Sequence, residues 1–242
     1  MRRLLLLVLL IVAGSASAEV DSNSSAKQLD ATPTEGLKTI APISKGYVGG
    51  TRGFGLLDGW NTDPVDYYYY TKGYSSDGAS RNDVNMYEWN IYSGYRLRDF
   101  MDVELGYSKN DSDTWIKYTN YSGGNIMSSR KIKIQALYVA TLLRPKSTGF
   151  GHGFYFKLGL HASQFEIEKS VTGNAANLNT IAAGDIMAGD GRNRGVGSLI
   201  GIGFDFRTGS VGALRLEANR YYGLGGTSYT KNSLNVGYQF NF

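Results

Sequence analysis

The sequence predicts an all-β protein, an eight-stranded antiparallel up-and-down transmembrane β-barrel. Three observations predict it. Most of the chain after residue 46 falls into segments that alternate apolar and polar side chains with a period of two. The connections between those segments alternate short and long, as they do when tight turns lie on one side of a membrane and loops on the other. The composition of 32 Gly and 18 Tyr against 4 Pro suits strands joined by turns rather than packed helices.

The chain opens MRRLLLLVLLIVAGSASAEV. Arg2 and Arg3 give a positive start, Leu4 to Ala13 an apolar core, and Ala16-Ser17-Ala18 a small-residue cleavage pattern. That core is about half the length a spanning helix needs, so residues 1-18 are expected to be a removable signal cut after Ala18. Removal would halve the formal net charge of +4, which leaves no basis for a nucleic-acid partner. Residues 19-45 are polar, aperiodic and interrupted by proline, and are expected to form a flexible periplasmic segment. With no cysteine in an exported chain, disulfides cannot hold the fold, whereas a closed hydrogen-bonded barrel can. Mean hydropathy is −0.27, which a barrel permits because only every second residue meets lipid.

The barrel is expected over 46-242. Its first strand, GYVGGTRGFGLL, is the least regular: if Val48 and Phe54 face lipid, so does Arg52, and a bulge or the opposite facing stays open. WNIYSGYRLR sets Trp89, Ile91, Tyr95 and Leu97 outward against Asn90, Gly94, Arg96 and Arg98. MDVELGYS sets Met101, Val103, Leu105 and Tyr107 against Asp102, Glu104, Gly106 and Ser108. In KIKIQALYVATLL the same rule puts Ile132, Ile134, Ala136, Tyr138, Ala140 and Leu142 outward and Lys131, Lys133, Gln135 and Thr141 inward.

FYFKLGLHAS turns Phe154, Phe156, Leu158 and Leu160 out and Tyr155, Lys157, Gly159, His161 and Ser163 in. GVGSLIGIGFDFR sets Val196, Ile200, Ile202, Phe204 and Phe206 against Gly197, Gly201, Gly203 and Asp205. Next, Leu214, Leu216 and Ala218 oppose Arg215, Glu217 and Asn219. The final SLNVGYQFNF puts Leu234, Val236, Tyr238, Phe240 and Phe242 on one face. Long external loops are expected at about 57-87, 109-130, 168-194 and 223-232.

These segments resemble the OmpA-like and OmpX-like outer-membrane β-barrel domain family. The resemblance rests on GYVGGTRGFG, NIYSGYRL, VELGYS and the closing LNVGYQFNF, and covers roughly residues 46–242. It implies a small monomeric barrel in the bacterial outer membrane, in contact with its lipid and lipopolysaccharide. It also implies recognition of Tyr238, Phe240 and Phe242 by the barrel-assembly machinery. Proteins like OmpA itself continue into a peptidoglycan-binding domain, and a peptidoglycan anchor is not expected here.

The interior of an eight-stranded barrel is narrow enough for side chains to fill. The expected inward charges are Arg96, Asp102, Glu104, Lys133, Lys157, Asp205, Arg215 and Glu217, and charges held off water must be paired. A network joining Glu104, Lys157, Arg215 and Glu217 is expected, either as filler or as a gate that exchanges partners. His161-Ala162-Ser163 resembles the His-x-Ser pair of lipid A deacylases. However, Gln164 stands where those enzymes carry Asn, the matching Glu is missing, and the pair points inward, so interior filler is the better reading. His152 has no second ligand beside it, and Asp111 to Asp113 lack the other ligands of a calcium loop; neither cofactor nor metal is implied.

The first long loop carries Trp60, Tyr67, Tyr68, Tyr69, Tyr70 and Tyr74. Such residues serve either as an interfacial girdle or loop packing, or as a recognition surface for a host, phage or other ligand. The expected function is a structural or adhesive role exerted through the external loops, with no enzymatic activity. A narrow or gated pore for small solutes is the alternative, and a lipid A-modifying enzyme a distant third.

Overall fold

The computed structural model describes residues 45–59, 63–76, 84–120, 122–145, 153–183, 191–208 and 211–242. The candidate signal at 1-18, the segment 19-45 apart from Lys45, and Trp60 and His152 lie outside them.

Eight long strands close into a ring. In chain order the elements are β1 (Gly46–Asp58), α1 (Asp63–Thr71), β2 (Tyr74–Ser76), β3 (Val84–Arg98), β4 (Met101–Asn120), β5 (Asn125–Leu143), β6 (Phe154–Gly173), α2 (Leu178–Ala183), β7 (Gly191–Arg207), β8 (Gly212–Tyr222) and β9 (Thr230–Asn241). All eight long strands pair antiparallel with their chain neighbours, and β1 with β9 completes the circuit; β2 only augments the tip of β4. Backbone bonds from Gly46 N to Phe242 O and from Phe242 N to Gly46 O tie the two ends of the barrel together. Over the height of the shorter strands the ring of described residues is closed all round, which is what a strand structure needs to lie in lipid.

The register fixes the shape. A path from Val48 across successive partners, Ser93, Leu105, Val139, Leu160, Ser198, Tyr222 and Thr230, returns to β1 at Asp58, ten residues further along. Eight strands with that offset tilt by about 40° to the barrel axis. Each residue then adds about 2.5 Å of height, and about ten residues cross an apolar layer of about 25 Å. β8 and β9, with 11 and 12 residues, match that span. β4, β5 and β6, with 20, 19 and 20, overshoot it about twofold. The excess stands on the side of the long connections, so the expected loop 109-130 is largely a continuation of the barrel wall, and the wall also takes residues 168–173 and 191–194 of the expected loop 168-194.

The exterior is apolar over that span: Val48, Ile91, Leu158, Leu160, Ile202, Leu216, Val236 and Phe240 are exposed around the circumference. An apolar surface this continuous is a lipid-facing one. Among the described residues no helix is long and apolar enough to cross a membrane; the crossing elements are strands. β1 pairs without interruption on both sides, so it has no bulge there and Arg52 does face outward with Val48 and Phe54. A cation there costs about 2–4 kcal/mol at the bilayer midplane and less toward the interface.

Two expected facings are corrected. β5 is reversed: Ile132, Ile134, Ala136, Tyr138, Ala140 and Leu142 are buried in the lumen, while Lys131, Lys133 and Gln135 point outward. Arg98 is exposed rather than inward because the ladder shifts between Arg96 and Arg98 at the tight turn.

The inner wall explains the high Gly and Tyr content. Tyr47 sits opposite Gly94, Tyr92 opposite Gly49, Tyr138 opposite Gly106 and Tyr155 opposite Gly203. In each pair a Cβ on the glycine would overlap the phenol end of the partner ring. The absence of a side chain on one strand makes room for the largest phenol-bearing one on the next.

Candidate functional site: a filled lumen and an external cap

The lumen is layered. Near the tight turns, Asp102 accepts from Arg96 Nε at 3.1 Å and from Arg144 Nε at 2.8 Å. Arg144 Nη2 reaches Asp205 at 2.7 Å, and Arg215 Nε reaches the same carboxylate at 2.8 Å. One layer up, Glu104 lies 2.6 Å from Arg215 Nη1 and 2.8 Å from Lys157 Nζ. Lys157 also reaches Glu217 at 3.0 Å. The four residues expected to meet therefore do meet, and each is buried.

Tyrosines complete this layer. Tyr138 donates to Glu104 at 3.0 Å and Tyr155 to Glu217 at 2.8 Å. The Arg215 guanidinium stands 4.3 Å from the Tyr92 ring and 5.1 Å from that of Tyr155, and donates to Gln239 at 2.7 Å. Above, Lys231 pairs with Glu88 at 3.0 Å, donates to Asn110 at 3.1 Å and lies 4.0 Å from the Tyr221 ring. Within these layers the charges match five to five: Glu88, Asp102, Glu104, Asp205 and Glu217 face Arg96, Arg144, Lys157, Arg215 and Lys231, while the buried Arg130 stands above them beside Ser128. Each ion finds a counterion within hydrogen-bond reach, which is what burial of charge demands. Toward the outer end, Leu57, Met86, Ile132, Ile134, Phe165 and Leu224 form one apolar cluster inside the wall.

Lys133, expected in this network, is outside it. It faces outward and pairs with Glu168 on β6. The residues missed by sequence reasoning are Arg144, Glu88 and Lys231, together with the inward Tyr47, Tyr92, Tyr138 and Tyr221; Tyr155 is inward as its parity predicts. Arg144 lies just past β5, beyond any alternation, and Lys231 was assigned to a loop. Glu88 was legible, since it precedes Trp89 with inward parity.

His161 and Ser163 point inward but serve different partners. His161 Nε2 lies 3.0 Å from the Tyr222 carbonyl, and Ser163 Oγ accepts from Gly225 N at 2.8 Å. They form no nucleophile–base pair with each other. Among the described residues no cluster of His, Cys, Asp and Glu could hold a metal ion.

The overshooting strands carry a second core of their own. Tyr69 on α1 is fully buried and stacks on Tyr118 of β4, with centroids 4.0 Å apart and planes at 19°. Tyr118 donates to Asp66 at 2.7 Å, and Tyr68 donates to the Ile181 carbonyl on α2 at 2.9 Å. Burial first, and then the bond to Asp66, push the Tyr118 phenol up and keep it protonated. Val65, Tyr74, Ile116, Ile126, Ala175 and Ile181 close the cluster. Two tyrosines of the run are left over: Tyr67 is 70% exposed and Tyr70 72%. Three apart on a helix, they share a face.

The class these features define is a membrane-spanning β-barrel with a filled, charge-balanced lumen and a folded cap on its taller side. No protein-family model matches the chain, and no curated protein matches it. Solved structures do resemble it. The attachment invasion locus protein Ail of Yersinia pestis, solved in complex with the heparin analogue sucrose octasulfate, is 10% identical, with a TM-score of 0.46 over 82% of this chain and 99% of Ail. Neisserial surface protein A is 13% identical, with a TM-score of 0.47 over 81% and 97%. The outer membrane protein OprG from Pseudomonas aeruginosa is 12% identical, with a TM-score of 0.42 over 83% and 97%.

Proposed function

We propose that the protein is a bacterial outer-membrane surface protein whose barrel is a sealed anchor and whose cap binds an external partner. The observation that carries this reading is the division of the tyrosine run on α1. Tyr69 is spent on the cap's own core, while Tyr67 and Tyr70 remain on one open face. Exposed tyrosines on a rigid support lose little conformational freedom on binding, which suits recognition. Paired charges and an apolar cluster fill the lumen, and this supports an anchor rather than a pore.

Cells carrying the protein should adhere to a host-cell or matrix surface more than cells lacking it. Tyr67→Ser with Tyr70→Ser should abolish the difference while the amount in the outer membrane is unchanged. Adhesion that survives both substitutions would remove the tyrosine face from the account.

A further inference from the structure

The barrel wall forks. The β3–β4 ladder runs only as far as Tyr87 opposite Asp111, while β3 continues to Val84 along β1 and β4 continues to Asn120 along β5. At the fork lies a cleft of about 600 Å³. It is lined from the outward face by Arg52, Asn85, Tyr87, Trp89, Asp111, Asp113 and Lys131, and from the luminal side by Glu88 and Ser112. Asp111 and Glu88 are already paired, with Lys109 and Lys231, so Asp113, opposite Lys131 in the ladder, is the carboxylate left beside the two cations.

Four outward cations are paired. Lys109 pairs with Asp111 at 3.5 Å, Arg192 with Glu166 at 3.0 Å, Arg220 with Asp58 at 3.8 Å, and Lys133 with Glu168. Arg52 and Lys131 have no ion pair among the described residues; Arg98, Arg194 and Arg207 have none either, but of these five only Arg52 and Lys131 line the cleft. Arg52 leaves a strand where its nearest outward side chains are the apolar Val48, Phe54 and Leu56. Its long side chain can carry the charge along the wall toward the interface, and the cleft is where it arrives.

We propose that this cleft binds the phosphorylated sugar headgroup of an outer-leaflet glycolipid, with Arg52 and Lys131 on the phosphate. Guanidinium and ammonium groups without a protein counterion select a phosphate. Trp89 and Tyr87 offer faces for a sugar ring, and the Asp113 carboxylate accepts from its hydroxyls. The cleft opens onto the apolar wall, where Phe54 packs on Tyr87 with centroids 5.7 Å apart. A headgroup seated here therefore leaves its acyl chains lying against protein, which a free sugar phosphate could not exploit. The proposal rests on the membrane reading above and deepens it by naming a lipid and its contacts.

The test uses folded full-length protein in phosphatidylcholine nanodiscs, with bisphosphorylated lipid A as the probe and retained lipid read by native mass spectrometry. The unmodified protein should hold lipid A, and Arg52→Ala with Lys131→Ala should weaken retention at least tenfold. Lys133→Ala, which removes a cation already paired, should not. A phosphorus–nitrogen magnetic-resonance contact between the lipid phosphate and the Arg52 guanidinium in unsubstituted protein gives a second readout that needs no variant. Equal retention by the double variant, equal retention of dephosphorylated glycolipid, or absence of that contact would overturn the proposal. Displacement by millimolar inorganic phosphate would assign the site to a free anion and overturn the lipid source. Failure of the folded protein to enter nanodiscs at all would instead sink the membrane reading beneath it.

Discussion

Replacing Lys157 by methionine removes the one ammonium that bridges Glu104 and Glu217, at 2.8 and 3.0 Å. Glu104 keeps Arg215 at 2.6 Å, so its charge stays compensated. Glu217 does not: its next cation is Arg215 at 4.0 Å, leaving the hydroxyl of Tyr155 and the amide of Asn219 to solvate a buried anion. Loss of one member of a buried pair costs about 3–5 kcal/mol, most of it from the uncompensated partner. Glu217→Gln alone should cost less, about 2 kcal/mol, because Lys157 still has Glu104. The double variant has no stranded anion, so its loss should fall short of the sum of the two single losses by about 2–3 kcal/mol. The assay is reversible urea unfolding of the barrel in lipid vesicles, followed by tryptophan fluorescence. A coupling below about 0.5 kcal/mol, the range of independent sites, would refute the claim that the luminal ions act as a paired set.

Three further outcomes follow from the same structure. Gly106→Ala should push the Tyr138 ring off its seat, loosen its bond to Glu104 and cost about 1–3 kcal/mol in the same unfolding assay. Tyr69→Ala should open the cap and leave the barrel: limited proteolysis should cut within residues 63–76 while heat-modifiable gel mobility is retained, because its partners lie in the separate outer cluster. Deleting Phe242 removes both backbone bonds to Gly46, the last of the β1–β9 seam. Outer-membrane yield should fall, and a normal yield would argue against a role for the terminal residue in assembly.

Much of the barrel was legible because a bilayer imposes one rule on every residue it touches. β4, β6, β7, β8 and β9 obey it, with apolar residues out and small or charged residues in. β5 breaks it for a physical reason. Its outer half stands above the bilayer, where Lys131 and Lys133 can face water and Ile132 and Ile134 are worth more in the apolar cluster. In its inner half Leu137 and Val139 alternate with Ala136 and Tyr138, so both faces are apolar and parity carries no information. The network core of Glu104, Lys157, Arg215 and Glu217 was readable from parity alone. Arg144 and Lys231 were not, because one follows its strand and the other begins a strand that reads as loop. The tyrosine run hid a helix: four identical residues have no period, and only contact with Tyr118 decides which one is buried.

The central claim is that the lumen is filled by its own paired side chains, so the barrel is an anchor and not a path. Single-channel recording of folded protein in planar bilayers tests it most directly. Insertion confirmed by heat-modifiable mobility, without openings across the voltage range, is the predicted result. Reproducible, voltage-independent openings from the same inserted protein would contradict it.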